Sequence, residues 1–90
     1  MRRASKVDKN QSLIVSHAKK LGAEVLHLHT VGMGCPDLLI SYNGFNYLVE
    51  VKSEKGKLNK SQVEFFEKWK GQVSVVYSTK ELEQLLNIRV

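Results

Sequence analysis

Cysteine, proline and long apolar runs are scarce in this sequence, and each scarcity excludes something. A single cysteine, Cys35, in 90 residues excludes an intrachain disulfide framework and a cysteine-based zinc finger. One proline and a hydrophobic content of 42% set the chain apart from disordered basic tails, which are too poor in apolar side chains to form a core. No apolar run approaches the roughly 20 residues that cross a bilayer, so no membrane partner is expected. The basic N-terminus is followed by polar residues where a secretory signal would place an apolar stretch. Ninety residues hold one domain, near the lower limit of chains that fold without a metal, disulfides or a partner. Residues 1–7 are expected to be a flexible basic arm on that single domain spanning 1–90.

Lys and Arg are also missing, but only locally. The formal net charge is +5, and it is unevenly spread. Residues 1–20 carry a net +5, residues 21–50 carry three acids (Glu24, Asp37, Glu50) and no Lys or Arg, residues 51–70 carry +3, and the remainder is neutral. An acidic segment therefore lies between two basic ones. A net positive domain suits a polyanion partner, although Lys-rich helix faces also occur simply because they are solvated.

Periodicity supplies the elements. Leu13, Ile14, His17, Ala18 and Leu21 recur at helical spacing, and Gly22 is placed to end a helix over 8–21. Residues 24–30 alternate as a strand does. Residues 31–34 read as a flexible link. Residues 37–42 and 45–53 are apolar and β-prone around Asn43-Gly44, a strong hairpin signal because a type I′ turn needs positive φ at both central positions. Asn59 with Gln62 forms a capping-box pattern ahead of a second helix that runs to about Lys70. Residues 73–77 suggest a short strand, and Ser78 with Glu81 announces a last helix bearing Leu82, Leu85 and Leu86. The order α-β-β-β-α-β-α is that of an α/β or α+β domain with a small sheet covered by helices.

The hairpin carries a geometric consequence. With Asn43 and Gly44 as loop residues, the register running outward sets Asp37 directly opposite Glu50. Opposed residues share a face with Cβ atoms ~5 Å apart. Two carboxylates there repel by about 3 kcal/mol at an effective dielectric of ~20. A shared proton, a basic neighbour or a divalent cation must compensate. Lys52, two residues beyond Glu50, projects from the same face. Hard cations such as Mg2+ take carboxylates, water and phosphate as ligands, and a lysine beside them positions a water nucleophile. A solvated surface stripe is the competing interpretation, and Leu48, Val49 and Val51 argue against it because they make the strand apolar on both faces. A one-residue slip in register would separate the two acids.

Other residues are less specific. Gln62 falls in the middle of the apolar arc formed by Val63, Phe65, Phe66 and Trp69. Its amide either closes the capping box, reaches the carboxylate–lysine cluster, or does both. Asn10 lies in the apolar arc of the first helix and Gln11 on its flank. Support of the site and solvation of a fraying helix end both fit them, and the pattern favours solvation. His27 and His29 share a strand face without a third metal ligand, so surface or core placement is expected. Cys35 has no His or Asn motif around it and reads as a packed thiol. Gly32-Met33-Gly34 lacks the spacing of a phosphate loop.

Taken in order, Gly34-Cys35-Pro36-Asp37, Glu50-Val51-Lys52, Lys57-Leu58-Asn59 and Gln62 resemble the PD-(D/E)XK nuclease superfamily, and within it the minimal, stand-alone, phage-type form of the virus-type replication-repair nuclease (VRR-Nuc) family. The resemblance spans from about Asp8 to Leu86. It implies a restriction-endonuclease-like αβββαβ core, with a small mixed sheet flanked by helices, and a phosphodiesterase dependent on Mg2+ or Mn2+. Asp37 and Glu50 would bind the metal with the Val51 carbonyl, Lys52 would activate the attacking water, and Gln62 would support the site. Relatives carry an acid on the first helix where this chain has Gln11, which would support the metal without charge. Lys9, Lys55, Lys57 and Lys60 would contact DNA. The resemblance further implies a homodimer acting on Holliday junctions or other branched DNA, in the cytoplasm of a prokaryote or as a phage-encoded protein. A nicking or restriction-like nuclease on duplex DNA and a non-catalytic basic nucleic-acid-binding module remain as alternatives.

Overall fold

The computed structural model describes residues 9–87. The expected basic arm and Asp8 lie outside them. The elements follow the expected order: α1 (Lys9–Lys20), β1 (Glu24–His27), β2 (Leu38–Tyr42), β3 (Phe45–Val51), α2 (Lys60–Lys68), β4 (Ser74–Val76) and α3 (Thr79–Leu85). The four strands form one sheet in the order β1-β2-β3-β4. The first three are antiparallel neighbours, and β4 joins β3 in parallel, making the sheet mixed. The domain is a small α+β fold with an αβββαβ core.

Local chemistry accounts for the element ends. At the end of α1, the Gly22 N–H donates to the Lys19 carbonyl and the Ala23 N–H to the Ala18 carbonyl, each at 3.0 Å. Gly22 adopts φ 95°, so this is the left-handed glycine stop that satisfies orphan carbonyls. Asn43 and Gly44 both have positive φ, 53° and 85°, as a type I′ turn requires. Tyr42 then pairs with Phe45 and Leu38 with Val49, which is the register expected from the turn. Several predicted edges are too long. β1 stops at His27, β3 at Val51 and α2 at Lys68, because pairing or helical bonding ends before the apolar pattern does. The expected flexible link is a folded turn: Gly32, Met33 and Gly34 all adopt positive φ (80°, 60°, 77°), and the Cys35 N–H donates to the Gly32 carbonyl at 3.0 Å.

The core is aliphatic. Ile14, Ala18, Leu38, Ile40, Val49, Val51, Val76 and Leu82 are at most 4% exposed. α1 and α3 supply Ile14, Ala18 and Leu82 to it from two helices, and His17 Nε2 lies 2.6 Å from Glu83 Oε2 between them. α2 departs from the expectation that helices cover the sheet. None of its residues is buried. Phe65 stacks on Trp69 with ring centroids 5.0 Å apart, yet Trp69 and Val63 remain 46% and 39% exposed. An apolar arc specifies a face but not what the face meets.

Candidate active site

The C-terminal end of β3 is where the chemistry-bearing residues gather. Pro36 is fully buried and delivers Asp37 one residue ahead of β2. The Asp37 carbonyl accepts the Leu28 N–H at 2.8 Å, and its carboxylate Oδ2 accepts the Val51 N–H at 2.9 Å. The register of β2 and β3 sets Asp37 against Glu50, the pairing read from the hairpin. Glu50 is 2% exposed. Its Oε2 accepts from Gln62 Nε2 at 2.9 Å and lies 3.5 Å from Lys52 Nζ. Its Oε1 is buried with no hydrogen-bond partner.

Gln62 does both things open to it. Its Oε1 accepts the Asn59 N–H and its N–H donates to Asn59 Oδ1, each at 2.9 Å, which completes the capping box. The remaining amide nitrogen reaches Glu50. Gly34 makes this reach possible. A Cβ at Gly34 would lie 2.2 Å from the Ser61 carbonyl oxygen and 3.0 Å from the Gln62 nitrogen. The missing side chain lets the first turn of α2 dock on the Gly34–Asp37 segment, and φ 77° favours glycine there independently. The sequence motif contained Gly34, but the contact joins segments 27 residues apart and leaves no local signal.

Electrostatics follow from this packing. Burial, reinforced by the Asp37 charge and partly offset by Lys52, pushes the Glu50 carboxyl up to about 7. Near neutral pH Glu50 is thus poised between its two forms. The Cys35 thiol is pushed up by burial, then by Glu50 and Asp37. A raised thiol is a poor nucleophile, in keeping with a packed cysteine.

The donor set suits a hard divalent cation. Glu50 Oε1 is a buried carboxyl oxygen with no hydrogen-bond partner, a costly arrangement that a cation would relieve. Asp37 supplies a second carboxylate. The Val51 carbonyl lies on the same strand edge as its N–H, and that N–H faces Asp37. The described residues contain no group of three or more His, Cys, Asp or Glu able to hold a metal, so the site offers two carboxylates and leaves the remaining ligands to backbone, water and phosphate. His27 and His29 are exposed, with rings 6.4 Å apart and edge-on.

The remaining candidates divide. Among the described residues, Gln11 is buried but makes no hydrogen bond to Asp37 or Glu50. Lys9, Lys55, Lys57 and Lys60 are all exposed. The expectation that Asn10 merely solvates a fraying helix end is wrong. Asn10 Nδ2 donates to the Lys52 carbonyl at 2.7 Å and to the Tyr77 carbonyl at 3.1 Å. Sequence reasoning also passed over Gln72, whose amide bonds the Leu48 N–H at 2.7 Å and carbonyl at 3.2 Å.

No helix of the described residues is long and apolar enough to cross a membrane. No family profile and no curated protein sequence matches the chain. Among solved structures, one described as a VRR_NUC domain superposes with a TM-score of 0.70 at 28% sequence identity, covering 92% of this chain and 100% of its own. Full coverage of that domain, together with the order of the Gly34–Asp37, Glu50–Lys52 and Gln62 motifs within the matched fold, supports membership of the VRR-Nuc family.

Proposed function

We propose that this VRR-Nuc domain is a metal-dependent endonuclease that hydrolyses phosphodiester bonds in branched DNA and resolves four-way junctions as a homodimer. The observation that carries the reading is the buried, unpartnered Glu50 Oε1 beside Asp37 and within reach of Lys52. Asp37, Glu50 and the Val51 carbonyl would hold Mg2+ or Mn2+, which would supply Lewis-acid stabilisation of the reacting phosphate and its water. Lys52 orients the attacking water and donates a hydrogen bond to it. Gln62 holds Glu50 by Oε2 and leaves Oε1 available to a cation. Lys9, Lys55, Lys57 and Lys60 contact backbone phosphates around the acidic site, which makes binding weaken with salt.

Two considerations support the homodimer. Paired cuts across a junction with two-fold character need two sites related by a two-fold axis. α2 also presents an apolar surface that the rest of the described chain leaves open: a groove lined by Met33, Phe65 and Trp69 together with Glu64 and Lys68. Charges of both signs on one face suit a second copy better than a polyanion, because a two-fold axis sets the acid of one copy towards the base of the other.

The test is cleavage of an end-labelled four-way junction in Mn2+, with linear duplex as comparison. Symmetric cuts on the junction are expected, and Asp37→Ala and Lys52→Ala should each lower the rate by about 100-fold or more. Equal cleavage by wild type and both variants, or cutting of duplex alone, would overturn the reading. Trp69→Glu should convert the dimer to monomer in a light-scattering mass measurement.

A further inference from the structure

Lys52 lies one residue beyond the end of β3, where regular pairing no longer fixes the backbone. Its position is nonetheless closely specified. The peptide groups along this stretch are held one after another by different elements. The Val51 N–H donates to Asp37 Oδ2 at 2.9 Å. The Lys52 N–H donates to the Val76 carbonyl of β4 at 3.1 Å. The Lys52 carbonyl accepts from Asn10 Nδ2 at 2.7 Å. Gly56 completes the enclosure, since a Cβ there would lie 3.3 Å from Lys52 Cβ and Cδ. The aliphatic stem of Lys52 thus rests against backbone.

Asn10 is the part of this arrangement that comes from another layer of the fold. Its amide nitrogen also donates to the Tyr77 carbonyl at 3.1 Å. Val51 pairs with Val76 in the parallel register, so Lys52 and Tyr77 are the next two residues along. One side chain therefore bridges the strands where their own ladder has run out. Both partners are carbonyl oxygens and can only accept, so only the amide nitrogen, with its two hydrogens, can face them. Asn10 is itself fixed, because it belongs to a helix seated in the core through Ile14 and Ala18, both 0% exposed.

We propose that Asn10 is a positioning residue for Lys52: by clamping the Lys52 and Tyr77 carbonyls it sets where the lysine ammonium stands beside Glu50. The kinetic consequence rests on the nuclease reading, whereas the structural consequence does not. Without the clamp the peptide after Lys52 can rotate, and the ammonium loses a fixed place while the carboxylates keep theirs. Asn10→Asp is the sharpest variant. It preserves shape but turns a donor into an acceptor facing two carbonyls. Asn10→Ala removes the clamp without adding repulsion.

The experiment has two arms. In steady-state junction cleavage with Mn2+, both variants are expected to lower kcat by roughly tenfold or more while KM stays within about twofold, the mark of a group that acts on the chemical step. In the second arm, without DNA or metal, lysines are dimethylated with 13C-formaldehyde and the Lys52 methyl resonance is assigned by Lys52→Arg. The Lys52 signal should shift in both variants while other lysine signals stay in place. A wild type that cleaves nothing removes the nuclease reading and leaves the second arm to decide. An unmoved Lys52 resonance, or lysine signals that all move together with a general loss of melting temperature, overturns the proposal.

Discussion

α1 and α2 are both amphipathic helices that reach the same three-residue stretch, Glu50–Lys52, at the end of β3, and they do so in opposite ways. α1 sinks Ile14 and Ala18 fully into the core and touches the site through the backbone, at the Lys52 carbonyl. α2 has no fully buried residue, docks through its first turn against Gly34, and touches the site through a side chain, at Glu50 Oε2. The comparison separates two jobs that a single helix often combines. One helix supplies stability and places the chain. The other adds little to the core and adjusts one carboxylate.

That division can be broken from the stability side first. Ile14→Ala should cost about 2–5 kcal/mol, as large-to-small changes at sealed positions do, and lower the melting temperature by ~10 °C or more. A calorimetric shift of only a few degrees would show that α1 is not the anchor.

The carboxylate that α2 adjusts gives the next largest effect. The Glu50 carboxyl stands at about 7 in the fold against an ordinary 4.5. The folded protein therefore holds a proton that the unfolded chain releases between those values. Stability falls as pH rises from 4.5 to 7 and levels off above, by on the order of 3 kcal/mol in total without metal. Melting curves from pH 4.5 to 8 should follow this slope. Glu50→Gln should flatten it and melt higher than wild type at pH 8.

Gly34→Ala tests the docking of α2 alone. The new methyl meets the Ser61 carbonyl, so the helix must back away and carry Gln62 off Glu50. Activity should fall about tenfold or more, the same direction as Gln62→Ala, with a stability loss of ~1–2 kcal/mol that leaves the core folded. Matching loss in both variants would tie the glycine to the glutamine; full activity in Gly34→Ala would untie them. The smallest effect is expected at Trp69. At low protein concentration Trp69→Glu should change unfolding free energy by less than ~0.5 kcal/mol, while the concentration dependence of the melting temperature disappears.

Much of this architecture is legible in the residues, and the limits are physical. Asn43-Gly44 determines the hairpin register by its backbone preferences, and the register alone brings Asp37 to Glu50. Asn59 and Gln62 announce α2 because capping is local. Gly22 ends α1 for the same reason. What escapes is non-local. The parallel pairing of β3 with β4 joins Val51 to Val76, and no turn chemistry records it, so the clamp by Asn10 across that pairing is invisible in a helical wheel. The apolar arc of α2 is plain from periodicity, but periodicity cannot say that the sheet stops short of it. The wrong expectation for Asn10 came from treating a helix end as a place where polar residues meet water. Here the end of the helix meets two carbonyls.

The span of that clamp has a consequence for synthesis. Asp37 and Val51, 14 residues apart, can come together as soon as the hairpin forms. Asn10 and Tyr77 are 67 residues apart. A chain emerging from the ribosome thus acquires its pair of acids early, while its lysine remains unplaced until β4 has been made and docked. A growing polypeptide that stalls before Tyr77 carries the carboxylates without the ordered ammonium. On the nuclease reading, such a chain would hold its acids with no placed lysine beside them.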